Sequence, residues 1–311
     1  MVTRAQSNMS QTLKRFLADH PGRDLDRGGL ALHYLDEGAG EPVVMVHGNP
    51  SWSILFRGLI DDLRDSHRVV AIDHIGCGRS AKPDDQAYDY TLESRVDDLE
   101  LLMDRLGLDS GVTLVVHDWG GMIGMAAAAR RPERIARLVV CNTAAFHKPA
   151  AKAMPWAIAV CRTRALGGLL VQGLNAFAQG TAMIGCTKNR MSPDVRSAYV
   201  SPYDSWDHRR AILRFVQDIP LWPTDRSHQL VSWVESRLEA FRNTPMLILW
   251  GMRDFVFDGS FLDEWIRRFP HAQVARFADA GHYLFEDERE AAGTLVRAFL
   301  GGSFVTKEPS T

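Results

Sequence analysis

One stretch of this sequence, residues 112–125, restricts the possible folds more than any other. Residues 112–116 are apolar or β-branched throughout, which is typical of a strand buried on both faces of a parallel sheet. Asp118 follows this strand closely, and the glycine- and alanine-rich residues 120–129 predict a helix. A strand that turns this sharply into a helix presents the residue at the turn at the carboxyl edge of the sheet. We therefore expect an α/β fold with the carboxylate of Asp118 at that edge.

Alternating strands and helices fill the first half of the chain. Residues 24–37 alternate between apolar and polar side chains around Gly28-Gly29, which predicts an antiparallel hairpin at a sheet edge. Other patterns predict buried strands at 42–47, 68–73 and 135–142, and helices at 51–64 and 91–106. Because parallel neighbours in a sheet need crossover connections, we expect a mostly parallel central sheet flanked by helices.

The pattern changes between about residues 144 and 242, where prolines interrupt helical stretches and no buried strand is indicated. Strand patterns return at 245–250 and 273–277, and a final amphipathic helix is predicted at 286–300. We therefore expect one α/β core with a helical cap inserted in its second half. The boundaries that we assign are an N-terminal arm at 1–22, the core at 23–146 and 243–302, the cap at 147–242 and a flexible tail at 303–311.

The composition narrows the possible partners. With 36 basic and 38 acidic residues, the chain has a formal net charge of −2, which gives no reason to expect nucleic acid or an anionic membrane as a partner. The four cysteines are widely spaced and suggest neither disulfides nor a metal site, and no run of about 18 apolar residues could span a membrane. Residues 1–11 also lack the apolar core of a signal peptide, so we expect a cytoplasmic protein. We expect no metal and no cofactor.

Three residues with catalytic side chains follow three of the predicted strands. Asp118, Asp254 and His282 occur in the order nucleophile, acid and histidine, which is one of the chain orders known for catalytic triads. Asp is also a common helix cap, but that explanation of Asp118 does not account for the other two residues. A carboxylate nucleophile would attack a saturated or strained carbon to form an ester, which water activated by His282 could then hydrolyse. Asp258 is a possible alternative acid, although the strand end favours Asp254.

The residues around the predicted nucleophile also suggest a site for a leaving group. The turn at 48–50 supplies a backbone N–H, and Trp119 supplies another beside the nucleophile, as expected for an oxyanion hole. The side chains of Asn49 and Trp119 add an amide N–H and an indole N–H. Although Trp119 could simply pack in the core and Asn49 could cap a turn, a buried indole normally has a hydrogen-bond partner. We therefore predict that these two side chains bind a departing anion such as halide.

At these residues the chain resembles the haloalkane dehalogenases of the α/β-hydrolase superfamily. The resemblance covers about residues 30–300 and rests on five motifs in order: His47-Gly-Asn-Pro, Asp73-x-x-Gly-x-Gly-x-Ser, Val116-His-Asp-Trp-Gly-Gly, Gly251-Met-Arg-Asp and Gly281-His. It implies an α/β-hydrolase fold that needs no cofactor. Some relatives carry the acid after the preceding strand, but residues 142–146 offer no carboxylate here.

The resemblance assigns a role to each of five side chains. Asp118 would be the nucleophile, His282 the general base and Asp254 the acid. Asn49 and Trp119 would form the pair that stabilises the halide. The substrate would be a small hydrophobic molecule, and the products would be an alcohol and a halide ion.

Further motifs resemble one subgroup, the third dehalogenase subfamily, and they lie at 95–98, 142–146, 154–156, 199–203, 214–220 and 253–258. This subgroup overlaps with the β-lactone decarboxylases of bacterial long-chain olefin synthesis, which convert a cis-β-lactone into an alkene and CO₂. Both activities use the same five active-site residues, so the cap should distinguish them. The apolar cap residues 158–171, with Phe177, are compatible with a groove for a hydrocarbon-tailed lactone and equally with ordinary cap packing.

We therefore interpret the chain as a haloalkane dehalogenase, with the cis-β-lactone decarboxylase as the alternative. An epoxide hydrolase is a lesser alternative, because Tyr199 and Tyr203 lie in the cap but Asn49 and Trp119 are not expected in that class. Trp119 and Met122 replace the arginines typical of fluoroacetate dehalogenases, and the intact triad disfavours a non-catalytic ligand receptor. Because the subgroup tends to assemble, we also expect a homo-oligomer or an assembly with olefin-pathway enzymes.

Overall fold

The computed structural model describes residues 9–150 and 152–302, so the predicted tail at 303–311 lies outside the described residues. The centre of the fold is one sheet of eight strands in the order β1-β2-β4-β3-β5-β6-β7-β8. The strands are Arg23–Arg27 (β1), Leu30–Glu37 (β2), Pro42–Val46 (β3), Arg68–Ile72 (β4), Val112–Asp118 (β5), Ile135–Thr143 (β6), Met246–Gly251 (β7) and Gln273–Phe277 (β8).

Helices surround this sheet in the described part of the chain. The α-helices are Gln11–Asp19 (α1), Arg57–Leu63 (α2), Leu92–Arg105 (α3), Trp119–Arg130 (α4), Trp156–Arg162 (α5), Arg164–Gly167 (α6), Ala176–Ile184 (α7), Pro193–Val200 (α8), Arg210–Gln217 (α9), His228–Arg237 (α10), Gly259–Arg268 (α11), Leu284–Asp287 (α12) and Arg289–Leu300 (α13). A π-helical turn covers Gly168–Gly173, and 3₁₀ turns cover Ser53–Phe56, Pro132–Arg134, Asp207–Arg209 and Leu238–Phe241. Across residues 9–150 and 152–302, every helix is too short or too polar to cross a bilayer.

The sheet confirms the predicted antiparallel edge and parallel centre. β1 pairs with β2, and β2 with β4, in antiparallel register, whereas all neighbours from β4 to β8 are parallel. β5 lies between β3 and β6, and each of its residues is buried. A strand that is covered on both faces has mainly apolar side chains on both, which is why the run at 112–116 shows no alternation.

The chain leaves the sheet between β6 and β7. The described residues of this segment, 144–150 and 152–245, contain α5 to α10 and no strand. The expected helical insertion is therefore present, and its apolar side chains form a small core of their own around Val171, Tyr203 and Ile212. The domain boundaries that we assign at 147 and 242 stay a prediction.

Two predicted helices have different bounds in the structure. The backbone N–H of Ser53 donates to Asp73 Oδ1 at 2.7 Å, so the chain forms a 3₁₀ turn first and α2 begins only at Arg57. The helix predicted at 286–300 is interrupted at Glu288, whose φ of −133° is not helical. The preceding residue, Asp287, accepts N–H groups of Gly281 and of residues 187–189, and these contacts keep α12 separate from α13.

Residues 9–22 of the predicted arm pack against the rest of the chain, while residues 1–8 lie outside the described part. Asp194 of α8 accepts the backbone N–H groups of Gln11 and Thr12, both at 2.7 Å. The buried ring of Phe16 meets the ring of Trp52 edge-on at 5.4 Å. The described part of the arm is therefore a docked helix.

Candidate active site

The turn between β5 and α4 holds Asp118 in a backbone conformation that few L-amino acids adopt. Its φ is 53° and its ψ is −125°. Two glycines leave room for this turn: a Cβ on Gly48 would lie 2.0 Å from Asp118 Oδ1, and one on Gly120 would lie 1.9 Å from the carbonyl oxygen of Val46. The turn therefore places the carboxylate at the end of β5, where it is almost fully buried.

The structure brings the three predicted triad residues together. His282 Nδ1 lies 2.9 Å from Asp254 Oδ2, and His282 Nε2 lies 3.8 Å from Asp118 Oδ2. The other oxygen of Asp254 accepts the backbone N–H of Val256 at 2.7 Å, which fixes the orientation of the acid. All three side chains are buried. The imidazole of His282 therefore lies between two carboxylates. It is hydrogen-bonded to Asp254, while a small molecule could reach Asp118.

Burial and charge shift the proton affinities of this group in a consistent way. Burial raises the pKa of Asp118 to about 6, although the nearby His282 and the N–H groups of Trp119 and Asn49 act in the opposite direction. Burial alone would lower the pKa of His282, but the carboxylates of Asp254 and Asp118 raise it overall. The two carboxylates therefore make the protonated form of His282 more favourable than it is for a free imidazole.

Hydrogen-bond donors from two turns surround the predicted nucleophile. The backbone N–H of Asn49 donates to Asp118 Oδ1 at 2.6 Å. The Asn49 side chain donates one N–H to the carbonyl of Ile212 in α9 at 3.3 Å, which holds the amide in place and leaves its second N–H available. The indole of Trp119 packs on Phe215 with ring centroids 5.4 Å apart, and its N–H has no partner among residues 9–150 and 152–302. Both predicted anion-binding side chains line the same cavity as Asp118.

The structure favours Asp254 over the other candidate acids. Asp258 caps α11 by accepting the N–H of Ser260 at 3.0 Å, and it pairs with Lys152 Nζ at 2.7 Å. Asn142, at the end of β6, makes two hydrogen bonds with the backbone of Gly251, at 2.8 and 3.0 Å, and so joins β6 to β7. In the described structure, the acid that contacts His282 is Asp254.

Three buried histidines support the site, and no role was predicted for them from the sequence. His47 Nδ1 contacts the carbonyl of Gly48 at 2.8 Å, and His47 Nε2 accepts the N–H of His74 at 3.1 Å. His117 Nε2 contacts the carbonyl of His282 at 2.8 Å. Burial lowers the pKa of all three imidazoles, so they act as neutral hydrogen-bonding groups. Their only signal in the sequence is that His47, His74 and His117 each lie at or just after a strand end.

A cavity of about 420 Å³ lies over the nucleophile and is bounded by Asn49, Asp118, Trp119 and His282. The rest of its lining is mainly apolar and comes from α5, α7, α9 and the loop after β7. Of the apolar cap run, Ile158, Leu170 and Phe177 line the cavity, whereas Val171 packs inside the helical insertion. Some residues of that run therefore line the cavity, and others pack inside the insertion. The size is typical of a site for a small hydrophobic molecule.

Two buried tyrosines of the insertion make their hydrogen bonds away from this cavity. The hydroxyl of Tyr199 donates to Glu286 at 2.6 Å, and that of Tyr203 donates to the carbonyl of Ser51 at 3.3 Å. Neither tyrosine borders the cavity, so neither is placed to protonate an epoxide oxygen there. Within residues 9–150 and 152–302, no cluster of three or more His, Cys, Asp or Glu side chains is arranged to hold a metal ion.

Comparison with known proteins identifies the family of the chain and several similar proteins. A family model described as alpha/beta hydrolase fold matches residues 41–289. Two cis-3-alkyl-4-alkyloxetan-2-one decarboxylases are similar to the chain. The one from Shewanella oneidensis is 54% identical over 89% of this chain and 87% of the relative, and the one from Xanthomonas campestris is 48% identical over 88% and 93%.

Haloalkane dehalogenases are also similar, at lower identity. The one from Mycolicibacterium paratuberculosis is 34% identical over 84% of this chain and 85% of the relative. The crystal structure of the haloalkane dehalogenase DatA from Agrobacterium tumefaciens superimposes with a TM-score of 0.81 at 26% identity, covering 91% of this chain and 97% of that chain. The fold is thus shared with dehalogenases, while the decarboxylases share more of the sequence.

Proposed function

The chain belongs to the α/β-hydrolase family, and from that premise we propose that it is a β-lactone decarboxylase, which converts a cis-3,4-dialkyl β-lactone into an alkene and CO₂. The observation that carries this proposal is the difference in identity: 54% and 48% to decarboxylases against 34% to a haloalkane dehalogenase over similar lengths. Our interpretation of the sequence favours the dehalogenase, but the motifs do not separate the two activities, because both use the same five residues. The mainly apolar cavity supports a substrate with hydrocarbon chains.

In the first proposed step, the ionised carboxylate of Asp118 attacks the lactone carbon that bears the ring oxygen. A bond forms between an oxygen of Asp118 and this carbon while its bond to the ring oxygen breaks. The electron pair of the broken bond becomes part of a free carboxylate on the neighbouring carbon. Ring strain in the four-membered lactone favours the opening. The product of this step is an alkyl ester on Asp118.

The new carboxylate occupies the position that a halide would take in a dehalogenase. Asn49 and Trp119 both line the cavity beside Asp118, and each has a side-chain N–H without a partner in the described residues. We propose that these two donors stabilise the negative charge that develops on the departing oxygen. Donors fixed in this way before the reaction need no reorganisation as the charge moves. The leaving-group pair predicted for halide therefore serves a carboxylate equally well.

In the second proposed step, the intermediate breaks down without water. The bond from carbon to the carboxylate breaks to release CO₂, its electrons form the double bond, and the ester bond to Asp118 breaks to restore the free carboxylate. No proton or water is consumed. Inversion in the first step followed by anti elimination in the second keeps the two alkyl groups cis.

Because no water is needed, His282 has a different role in this scheme from that of a hydrolytic base. As an imidazolium hydrogen-bonded to Asp254, it places one positive charge 3.8 Å from Asp118, where negative charge leaves and returns during the cycle. The raised pKa of His282 supports this role. In a dehalogenase the same residue would have to be neutral in order to activate water.

Haloalkane dehalogenase is the second candidate, supported by the shared fold and by the unpartnered N–H of Trp119 beside the nucleophile. In that reaction the ester on Asp118 would be hydrolysed with the help of His282. We also propose a cytoplasmic location, and either a homo-oligomer or an assembly with olefin-pathway enzymes.

A direct test offers the purified protein a cis-β-lactone and a 1-bromoalkane of matched chain length in parallel. We expect a cis alkene and CO₂ in equal amounts from the lactone, and release of bromide and alcohol at least about 100-fold more slowly. The Asp118→Asn variant is the control and should yield neither set of products. Bromide and alcohol without any alkene would instead assign the protein to the dehalogenases.

A further inference from the structure

The helical insertion has a region of one-sided charge. Between residues 147 and 193 the sequence has six basic residues and no acidic one, whereas the rest of the chain has 30 basic and 38 acidic residues. Although the whole chain has a net charge of −2, this segment is strongly positive. The six basic residues are Lys148, Lys152, Arg162, Arg164, Lys188 and Arg190.

Not all of this positive charge is neutralised nearby. Lys152, Arg162 and Lys188 pair with Asp258, Asp225 and Glu288, which belong to other segments. Lys148, Arg164 and Arg190 have no acidic partner within residues 9–150 and 152–302. Arg164 and Arg190 are also exposed to solvent.

The same segment exposes an unusual amount of apolar surface. Of the nine large hydrophobic side chains that are exposed in the described residues, six lie between 156 and 184. Two of them are Trp156, 80% exposed, and Ile184, 59% exposed. Exposed large apolar side chains are common one at a time, but a concentration of them indicates an interaction surface. The other four are Leu166, Leu169, Leu174 and Met183.

Part of this surface surrounds the entrance to the active-site cavity. Trp156, Ala157, Ala176 and Ile184 are exposed and also line the cavity, so they form its mouth, and we call these four residues the mouth patch. Lys148 and Lys152 line the same cavity. The only acidic side chain in that lining is Asp118, at the buried end of the cavity. The mouth is therefore apolar with a basic border.

We propose that the mouth patch docks on the surface of an anionic lipid bilayer, with Trp156 and Ile184 inserted among the lipids and the basic residues facing the headgroups. Apolar side chains with lysines and arginines at their border are what interfacial membrane binding requires. A second copy of this chain fits less well, because a two-fold interface would bring the positive borders of two copies together.

Docking in this orientation has a consequence for substrate and product. An apolar molecule with alkyl chains is sparingly soluble in water and concentrates in the hydrocarbon layer of a membrane. With its mouth at the bilayer, the cavity would exchange such molecules with lipid directly and would not release them into water. The inference depends on the surface alone, so it is tested without substrate and independently of the proposed reaction.

The test is co-flotation of the purified protein with vesicles, comparing phosphatidylcholine alone with phosphatidylcholine plus phosphatidylglycerol. We expect binding to the anionic vesicles, weakened by added salt, and a partition coefficient about tenfold lower for Trp156→Ser. Lys148→Glu should lower binding to the anionic vesicles about tenfold, because Lys148 lines the cavity and its charge changes by two. The same variant should change binding to neutral vesicles little. Trp206→Ser is the matched control, since Trp206 is 51% exposed but borders a separate polar groove with Asp85 and Arg214.

Three results would overturn the proposal, provided that circular dichroism shows each variant to be folded. The first is absence of binding of the unaltered protein to anionic vesicles. The second is an equal loss of binding in Trp156→Ser and Trp206→Ser. The third is self-association that sedimentation velocity detects and that Trp156→Ser abolishes, without vesicle binding, because the mouth patch would then be covered by a second copy.

Discussion

At the level of single residues, burial and charge act against each other at Asp118. The side chain lies at a strained turn with φ of 53°, it is almost fully buried, and its pKa is raised to about 6 by that burial. Because the carboxylate has lost water that it would keep in an unfolded chain, its ionisation destabilises the fold. The same loss of water makes the carboxylate a stronger nucleophile. Reactivity at this residue is therefore obtained at the expense of stability.

We predict that Asp118→Asn stabilises the protein at pH 7. A folded-state pKa of about 6 against 3.8 lowers stability as the pH rises from about 4 to above 6. The isosteric amide removes this cost, which is on the order of 3 kcal/mol at pH 7 and about half that value at pH 5. Thermal unfolding at both pH values should show a higher melting temperature for the variant, with the larger difference at pH 7.

The control for this prediction is Asp263→Asn, since Asp263 is an exposed aspartate of α11. This variant should change the melting temperature little at either pH. A less stable Asp118→Asn protein, or a gain of the same size at pH 5 and pH 7, would show that the charge of Asp118 is not the destabilising feature.

At the level of structural elements, the loop between β7 and α11 separates two aspartates with different tasks. Asp254 lies at the start of the loop and contacts His282 at 2.9 Å, while Asp258 lies at its end and caps α11. Although only three residues separate the two aspartates, the first contacts His282 and the second contacts Ser260 and Lys152. Sequence spacing alone could not show which aspartate contacts His282, because these contacts depend on the path of the loop.

We predict that Asp254→Asn lowers kcat at least about 100-fold, because the imidazolium of His282 loses its charged partner. Asp258→Asn is the matched control on the same loop. It should retain kcat within about twofold and lose on the order of 1 kcal/mol of stability with the weakened cap and ion pair. Steady-state rates and urea unfolding of both variants check the prediction. Equal losses of activity in the two variants would argue against a distinct role for Asp254.

At the level of the whole molecule, the fold could be predicted because several central strands are almost continuous apolar runs. β5 and β7 are buried along their whole length, and no helix or edge strand needs such runs. The triad could be predicted because parallel strands bring their carboxyl ends to one edge. The contacts of His47, His74 and His117 could not, since they join turns and strands distant in sequence.

The sequence could not decide the reaction, because the decisive property is the fate of an intermediate. In both proposed reactions an ester would form on Asp118 with the help of Asn49 and Trp119. The shape of the cavity depends on how the helices α5, α7 and α9 pack against one another. Ile158 and Phe177 line the cavity, but neither residue alone predicts its shape. The higher identity to known decarboxylases is the reason that we propose the decarboxylase reaction.

The most direct test of the account is whether water attacks the ester on Asp118. The protein would be allowed many turnovers of a cis-β-lactone in water enriched in ¹⁸O, and the peptide containing Asp118 would then be analysed by mass spectrometry. Hydrolysis places solvent oxygen in the carboxylate of Asp118, whereas decarboxylative elimination returns the original oxygens. We predict alkene formation with no ¹⁸O in Asp118. Incorporation of ¹⁸O during lactone turnover would contradict the proposed mechanism.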